Sequence, residues 1–100
     1  MKHITVTELR DQIKAHDAPL LIDVREPYEH EDYNIGGTLM PLSELFEHID
    51  KIPGDVPVVV YCRMGIRSQI AIQRLEAKFG FRNLINLQGG IEAWRKTDPN

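Results

Sequence analysis

The sequence predicts an α/β domain of three layers, α/β/α, with a mostly parallel sheet of five strands covered by helices on both faces. Three observations carry that prediction. Apolar, strand-like runs alternate along the chain with segments of helical periodicity, an order that yields right-handed crossovers and parallel strands. Two of the runs, PLLIDV at 19–24 and PVVVYC at 57–62, are continuous rather than alternating, as strands buried on both faces are. Gly36, Gly37, Pro53, Gly54 and Gly80 fall between the segments, where turn residues belong.

HITV reads as the first strand, and Thr7 as the cap of a first helix whose apolar Leu9 and Ile13 lie four apart. PLLIDV is the second strand. EPYEHEDYNIGG, 26–37, predicts a short helical turn and a loop, and TLMPL a brief third strand. Ser43 is read as the cap of an amphipathic helix carrying Leu42, Leu45, Phe46 and Ile49, which Pro53 and Gly54 end. PVVVYC, rich in β-branched residues, belongs near the centre of the sheet. Ser68 is read as the cap of QIAIQRLEAKF, with Ala71, Leu75 and Phe79 on one face and Gly80 as its stop. NLINL gives a fifth strand and GGIEAWRK a last short helix.

At 100 residues the chain suits one domain over 1–100, large enough to bury a core without staples. Its 42% apolar and 27% charged residues are those of an ordinary globular protein. A net charge of −3 argues against nucleic acid as a partner, because phosphate binding calls for a basic face. No window resembles a signal peptide or a membrane span, so no membrane partner and a cytoplasmic location are expected. The single Cys excludes an internal disulfide and paired-Cys redox chemistry. His3, His16, His30 and His48 show no metal-ligand spacing and read as surface residues, and no metal or other cofactor is expected.

The segment VVVYCRMGIRSQIA poses the functional question. It places Cys62 at the carboxyl end of a buried strand, the edge where parallel sheets carry their sites. Between strand and helix stand six residues, Cys62, Arg63, Met64, Gly65, Ile66 and Arg67. A loop this short can turn successive N–H groups inward to make an anion-binding nest continuous with the helix N-terminus, and Gly65 permits the positive φ such wrapping needs. Amides, helix dipole and guanidinium groups together favour a thiolate, which is a nucleophile. A lone Cys is more commonly a small buried hydrophobe; here position favours the reactive reading. Arg63 and Arg67, four apart, suit a substrate with several oxygens. Met64 and Ile66 would be exposed hydrophobes or the rim of a docking surface.

Three segments, LIDVREPYEHEDYNIGG, VVVYCRMGIRS and NLINLQGGIEAW, resemble in order those of the single-domain rhodaneses, a sulfurtransferase family. The resemblance spans nearly the whole chain. It implies a rhodanese-like α/β/α fold and a site in which Cys62 cycles between thiolate and persulfide, cradled by the backbone of Arg63 to Arg67. Asp23 and Arg25 match residues that brace the site in the family, and an Asp–Arg pair at a strand end suits that role, with Ser68 also in support. Where the family often has His, Ile, Pro, Gly, this chain reads Asn34, Ile35, Gly36, Gly37.

On that basis the expected reaction moves a sulfane sulfur from a small donor such as thiosulfate to cyanide, a thiol or a sulfur-acceptor protein. The alternatives are a Cys-based phosphatase or arsenate reductase, or a sulfur-carrier or interaction module without catalysis. Phosphatase loops carry C-x5-R, whereas Cys62 to Arg67 is C-x4-R. The sulfurtransferase reading requires the sulfur to face converging amides and solvent, not the apolar interior.

Overall fold

The structure, a computed structural model, describes residues 1–97. The last three residues of the single domain expected over 1–100 therefore lie outside the described residues. In order, the elements are β1 (Lys2–Ile4), α1 (Val6–Lys14), β2 (Leu20–Asp23), α2 (Pro27–Asp32), β3 (Thr38–Leu39), a 3₁₀ helix (Leu42–Lys51), β4 (Val58–Tyr61), α3 (Ile66–Phe79), β5 (Leu84–Leu87) and α4 (Gly90–Lys96). The strands form one sheet in the order β1-β5-β4-β2-β3, and every neighbouring pair is parallel.

The apolar run of β4 explains the layering. As the central strand it alternates its side chains between two cores. Val58 and Val60 join Leu45, Ala71, Ile72 and Leu75 on the face covered by α3 and the 3₁₀ helix. Val59 and Tyr61 join Leu9, Ile91 and Trp94 on the face covered by α1 and α4. Each fully buried Val or Leu contributes about 1.5–3 kcal/mol, which is why a strand with no polar residue can only sit in the middle. On the second face Arg10 lies 3.8 Å from the Trp94 ring centroid and donates to the Trp94 carbonyl at 2.8 Å, tying α1 to α4.

Helix starts differ from the sequence expectation in three places. Thr5, not Thr7, caps α1. Its hydroxyl accepts from the Glu8 N–H at 3.1 Å while the Glu8 carboxylate accepts from the Thr5 N–H at 2.9 Å, a capping box that leaves Thr7 inside the helix. The Ser43 helix begins earlier, at Leu42, behind Pro41, and winds as 3₁₀. Its apolar residues explain the tighter turn: Leu42 and Leu45, and Phe46, Ile49 and Ile52, are spaced by three, the interval at which 3₁₀ side chains eclipse. Ser68 lies in the first turn of α3, which Gly65 opens from a left-handed conformation at φ 92°. Gly80 ends α3 at φ 75° as expected, but Phe79 is half-exposed, and Ile72 takes the buried place beside Ala71 and Leu75. Phe79 packs edge-on against Phe46 at 5.3 Å between centroids.

Tyr61 fixes one tight spot. It is fully buried, its hydroxyl accepts from the Gly37 N–H at 3.3 Å, and burial pushes the phenol up to about 12. A Cβ on Gly37 would stand 2.6 Å from the ring. Gly37→Ala is accordingly expected to lower stability by about 1–3 kcal/mol through overpacking, read as a fall in the thermal midpoint, with Gly54→Ala, whose Cβ meets no neighbour, as the control.

Candidate active site

Cys62 is the first residue beyond β4, at the carboxyl edge of the sheet's centre. The chain then turns through Arg63, Met64 and Gly65, whose positive φ is what lets α3 begin at once. The first N–H groups of a helix have no partner within it. Two of them, from Gly65 and Ser68, point at Cys62 Sγ, at 3.1 and 3.3 Å. The Ser68 hydroxyl lies 3.3 Å from the same sulfur. Ser68 thus serves the sulfur with backbone and side chain rather than capping the helix by its hydroxyl.

On the outer side of the loop, α4 holds the carbonyls. The Ile91 N–H donates to Cys62 O and the Glu92 N–H to Arg63 O, both at 2.9 Å. These are again unpartnered first-turn donors, and taking up the carbonyls on this side fixes the loop's peptide planes. The approach is close: a Cβ on Gly90 would overlap Cys62 O and come within 2.7 Å of Arg63 O. Gly90 is therefore part of the site, although the sequence reading placed it only in a helix.

The two sequence readings of Cys62 meet here. It is 1% exposed and packs within the core cluster of Val60, Ala71 and Ile72, so the expected solvent-open sulfur is not found. Its Sγ is nevertheless turned to the amides. The loop also carries residues that do face solvent, Met64 at 56% and Ile66 at 61% exposure. Beside it opens a cavity of about 750 Å³ whose lining includes Tyr28, Glu29, Arg63, Glu92 and Arg95 but not Cys62.

The two arginines differ. Arg63 is exposed and pairs loosely with Glu92 at 3.4 Å, an arrangement worth at most about 1 kcal/mol that leaves its fork available. Arg67 is not free: both arms grip Glu29, at 2.7 and 2.8 Å. This bidentate pair holds Glu29 down to about 2 from the usual 4.5, chiefly through the Arg67 hydrogen bonds. Because the folded value is the lower, the pair's stabilisation is complete above about 4.5 and is lost as pH falls through about 2. Glu29→Gln is expected to cost on the order of 1–2 kcal/mol at neutral pH. That difference from the unaltered protein should shrink in acid melts between those values.

Asp23 and Arg25 form the brace at the end of β2. Arg25 Nε and Nη2 reach the two Asp23 oxygens at 2.9 and 2.8 Å, the Arg25 N–H donates to Asp23 Oδ1 at 3.0 Å, and Nη2 also donates to Tyr33 O at 2.6 Å. His30, read from sequence as a surface residue, instead lies half-buried with Nδ1 2.9 Å from Asp23 Oδ2. Beyond it, Gly36 takes φ 92° and donates to Asn34 Oδ1 at 2.8 Å. A Pro, held near φ −65°, could not adopt that backbone.

Asn86 escaped the sequence reading. It is 1% exposed in β5 and accepts the Ser68 hydroxyl proton at 2.5 Å. The available signal was a lone amide inside the apolar run NLINL, which cannot be buried without a partner.

Comparisons with known proteins agree with this fold. A model of the rhodanese-like domain matches residues 5–97. "Thiosulfate sulfurtransferase GlpE" of Coxiella burnetii is 33% identical over 99 residues, covering 98% of this chain and 91% of that protein. "Probable adenylyltransferase/sulfurtransferase MoeZ" of Mycobacterium tuberculosis is 42% identical over 96 residues, 93% of this chain; the chain spans only 24% of its length. Among solved structures, a rhodanese-related protein from Thermoplasma volcanium superposes with a TM-score of 0.83 at 32% identity, over 96% of this chain and 92% of that one. With the five parallel strands in place and the family match running almost end to end, the chain belongs to the rhodanese-like domain family, whose relatives here include sulfurtransferases.

Proposed function

We propose that this domain is a sulfurtransferase that carries sulfur on Cys62. The observation that carries the reading is the convergence of the Gly65 and Ser68 amides on Sγ, donors placed to hydrogen-bond the sulfur when it is an anion. In the first half-reaction the Cys62 thiolate attacks the outer sulfur of thiosulfate. A new S–S bond forms, the bond to the sulfonate sulfur breaks, and sulfite leaves with the electron pair. In the second, an acceptor thiolate or cyanide attacks the outer persulfide sulfur and leaves as a persulfide or thiocyanate, returning the Cys62 thiolate. Both nucleophiles are anions already, so no general base is needed.

The burial of Cys62 sets how the partners meet. A small donor would approach across the exposed loop residues Arg63, Met64 and Ile66. Once loaded, the reactive atom stands one S–S bond, about 2 Å, beyond Sγ. The backbone from Arg63 to Arg67 provides the cradle, Arg63 is the cation available to the donor's oxygens, and Arg67 acts through its grip on Glu29. Asp23, Arg25 and Ser68 support the loop. The printed names of the relatives, a thiosulfate sulfurtransferase and an adenylyltransferase/sulfurtransferase, support the reaction class and leave both a small thiol and a sulfur-acceptor protein as partners. Incubation with thiosulfate should add one sulfur atom to the protein, seen by intact mass and removed by cyanide. An unchanged mass would favour the interaction module. Hydrolysis of an aryl phosphate is expected to be negligible, and phosphate release as fast as sulfite release would favour the phosphatase.

A further inference from the structure

Behind the sulfur a line of polar groups crosses the layer beneath α3 and reaches solvent. Cys62 Sγ lies 3.3 Å from Ser68 Oγ, Ser68 Oγ 2.5 Å from Asn86 Oδ1, and Asn86 Nδ2 3.2 Å from His3 Nδ1. Ser68 and Asn86 are buried, whereas His3, in register with Asn86 on the edge strand β1, is exposed.

Proton counting gives this line a direction. A serine hydroxyl has one proton to donate. Here it goes to Asn86 Oδ1, so Ser68 meets the sulfur as an acceptor and the thiol S–H must donate. Every donor then points outward: S–H to Oγ, O–H to Oδ1, and the amide N–H to Nδ1 of a His3 protonated on Nε2. A thiolate, or the Sγ of a persulfide, has no proton and needs the opposite arrangement. Ser68 must donate to sulfur, Asn86 must turn its NH₂ to Ser68 and its oxygen to His3, and His3 must carry a proton on Nδ1. The amide exchanges O for N by a half-turn about its broad terminal torsion. An exposed imidazole can move its proton between nitrogens through water.

We propose that Ser68, Asn86 and His3 form a reversible hydrogen-bond array, in which Asn86 and His3 are positioning residues that decide, through Ser68, whether Cys62 is held as thiol or as anion. When the array reverses, the S–H bond breaks and its proton leaves to water; no proton crosses the amide. The use of the array rests on the sulfurtransferase reading, but its operation does not.

The test uses the single thiol. Alkylation of Cys62 by iodoacetamide at neutral pH reports the thiolate without any sulfur transfer. Asn86→Asp leaves a group that can only accept, fixing Ser68 away from the sulfur, and should slow alkylation by about tenfold. In a Ser68→Ala background the same change should slow it less than about twofold, because the connecting hydroxyl is gone. Ring-nitrogen NMR of His3 in the unaltered protein gives a second reading that survives if a variant fails to fold. Nδ1 should pass from bare to N–H-bearing as Cys62 loses its proton. An equal slowing in both backgrounds would reveal simple charge repulsion, and a His3 tautomer indifferent to the sulfur would mean a static strut; either result overturns the proposal. Absent sulfur transfer with these responses intact would count against the function alone.

Discussion

Cys62→Ser is expected to remove thiosulfate turnover, with sulfite release falling by at least about a thousandfold, while the fold survives. The hydroxyl is smaller than the thiol and can still accept from the Gly65 and Ser68 amides that now reach Sγ at 3.1 and 3.3 Å. Structure is therefore nearly indifferent to the change. Chemistry is not, because a serine hydroxyl is un-ionised at neutral pH and cannot hold a transferable sulfur. Matched thermal midpoints alongside a lost sulfite signal would assign the loss to the nucleophile. Sulfite released at the original rate would remove Cys62 from the mechanism.

Gly90→Ala should act on the same site from the other side of the loop. The new Cβ would overlap Cys62 O and lie 2.7 Å from Arg63 O, both main-chain atoms that cannot swing aside. The Gly90 backbone is also at φ 59°, a left-handed value that costs a residue with a Cβ. Overpacking and strain together are worth about 2–4 kcal/mol, which lowers the thermal midpoint of a domain this size by roughly 10–30 °C. Relief can come only by moving α4 off the loop, so the Ile91 and Glu92 bonds should weaken and sulfur transfer drop by about tenfold in whatever protein still folds. Gly54→Ala, where a Cβ meets nothing, is the control. A Gly90→Ala protein equal to the original in both melting and activity would show that the helix does not shape the loop.

What could be read from the sequence follows a physical line. β2 and β4 were legible because only a doubly covered strand tolerates an unbroken apolar run, and β4 in turn placed Cys62 at the functional edge. Gly65 was legible as a positive-φ position because a six-residue strand-to-helix turn demands one. The start of α3 was not. A left-handed glycine opens it with no capping side chain, so Ser68, the residue with the best capping chemistry, drew the boundary three residues too late. Arg67 looked free because its partner Glu29 lies 38 positions away, a distance no local spacing can bridge. Asn86 vanished inside a strand pattern; His3 is at the surface as read, its contact to Asn86 unforeseen, whereas His30 read as surface because its contact to Asp23 is made by tertiary folding.

The clasp of α4 on the Cys62 and Arg63 carbonyls has a temporal side. The thiol emerges from the ribosome before residues 90–92 do, and until that segment docks the Cys62 and Arg63 carbonyls lack the partners they have in the fold. A nascent or partly unravelled chain therefore presents Cys62 in a turn that α4 has not yet fixed.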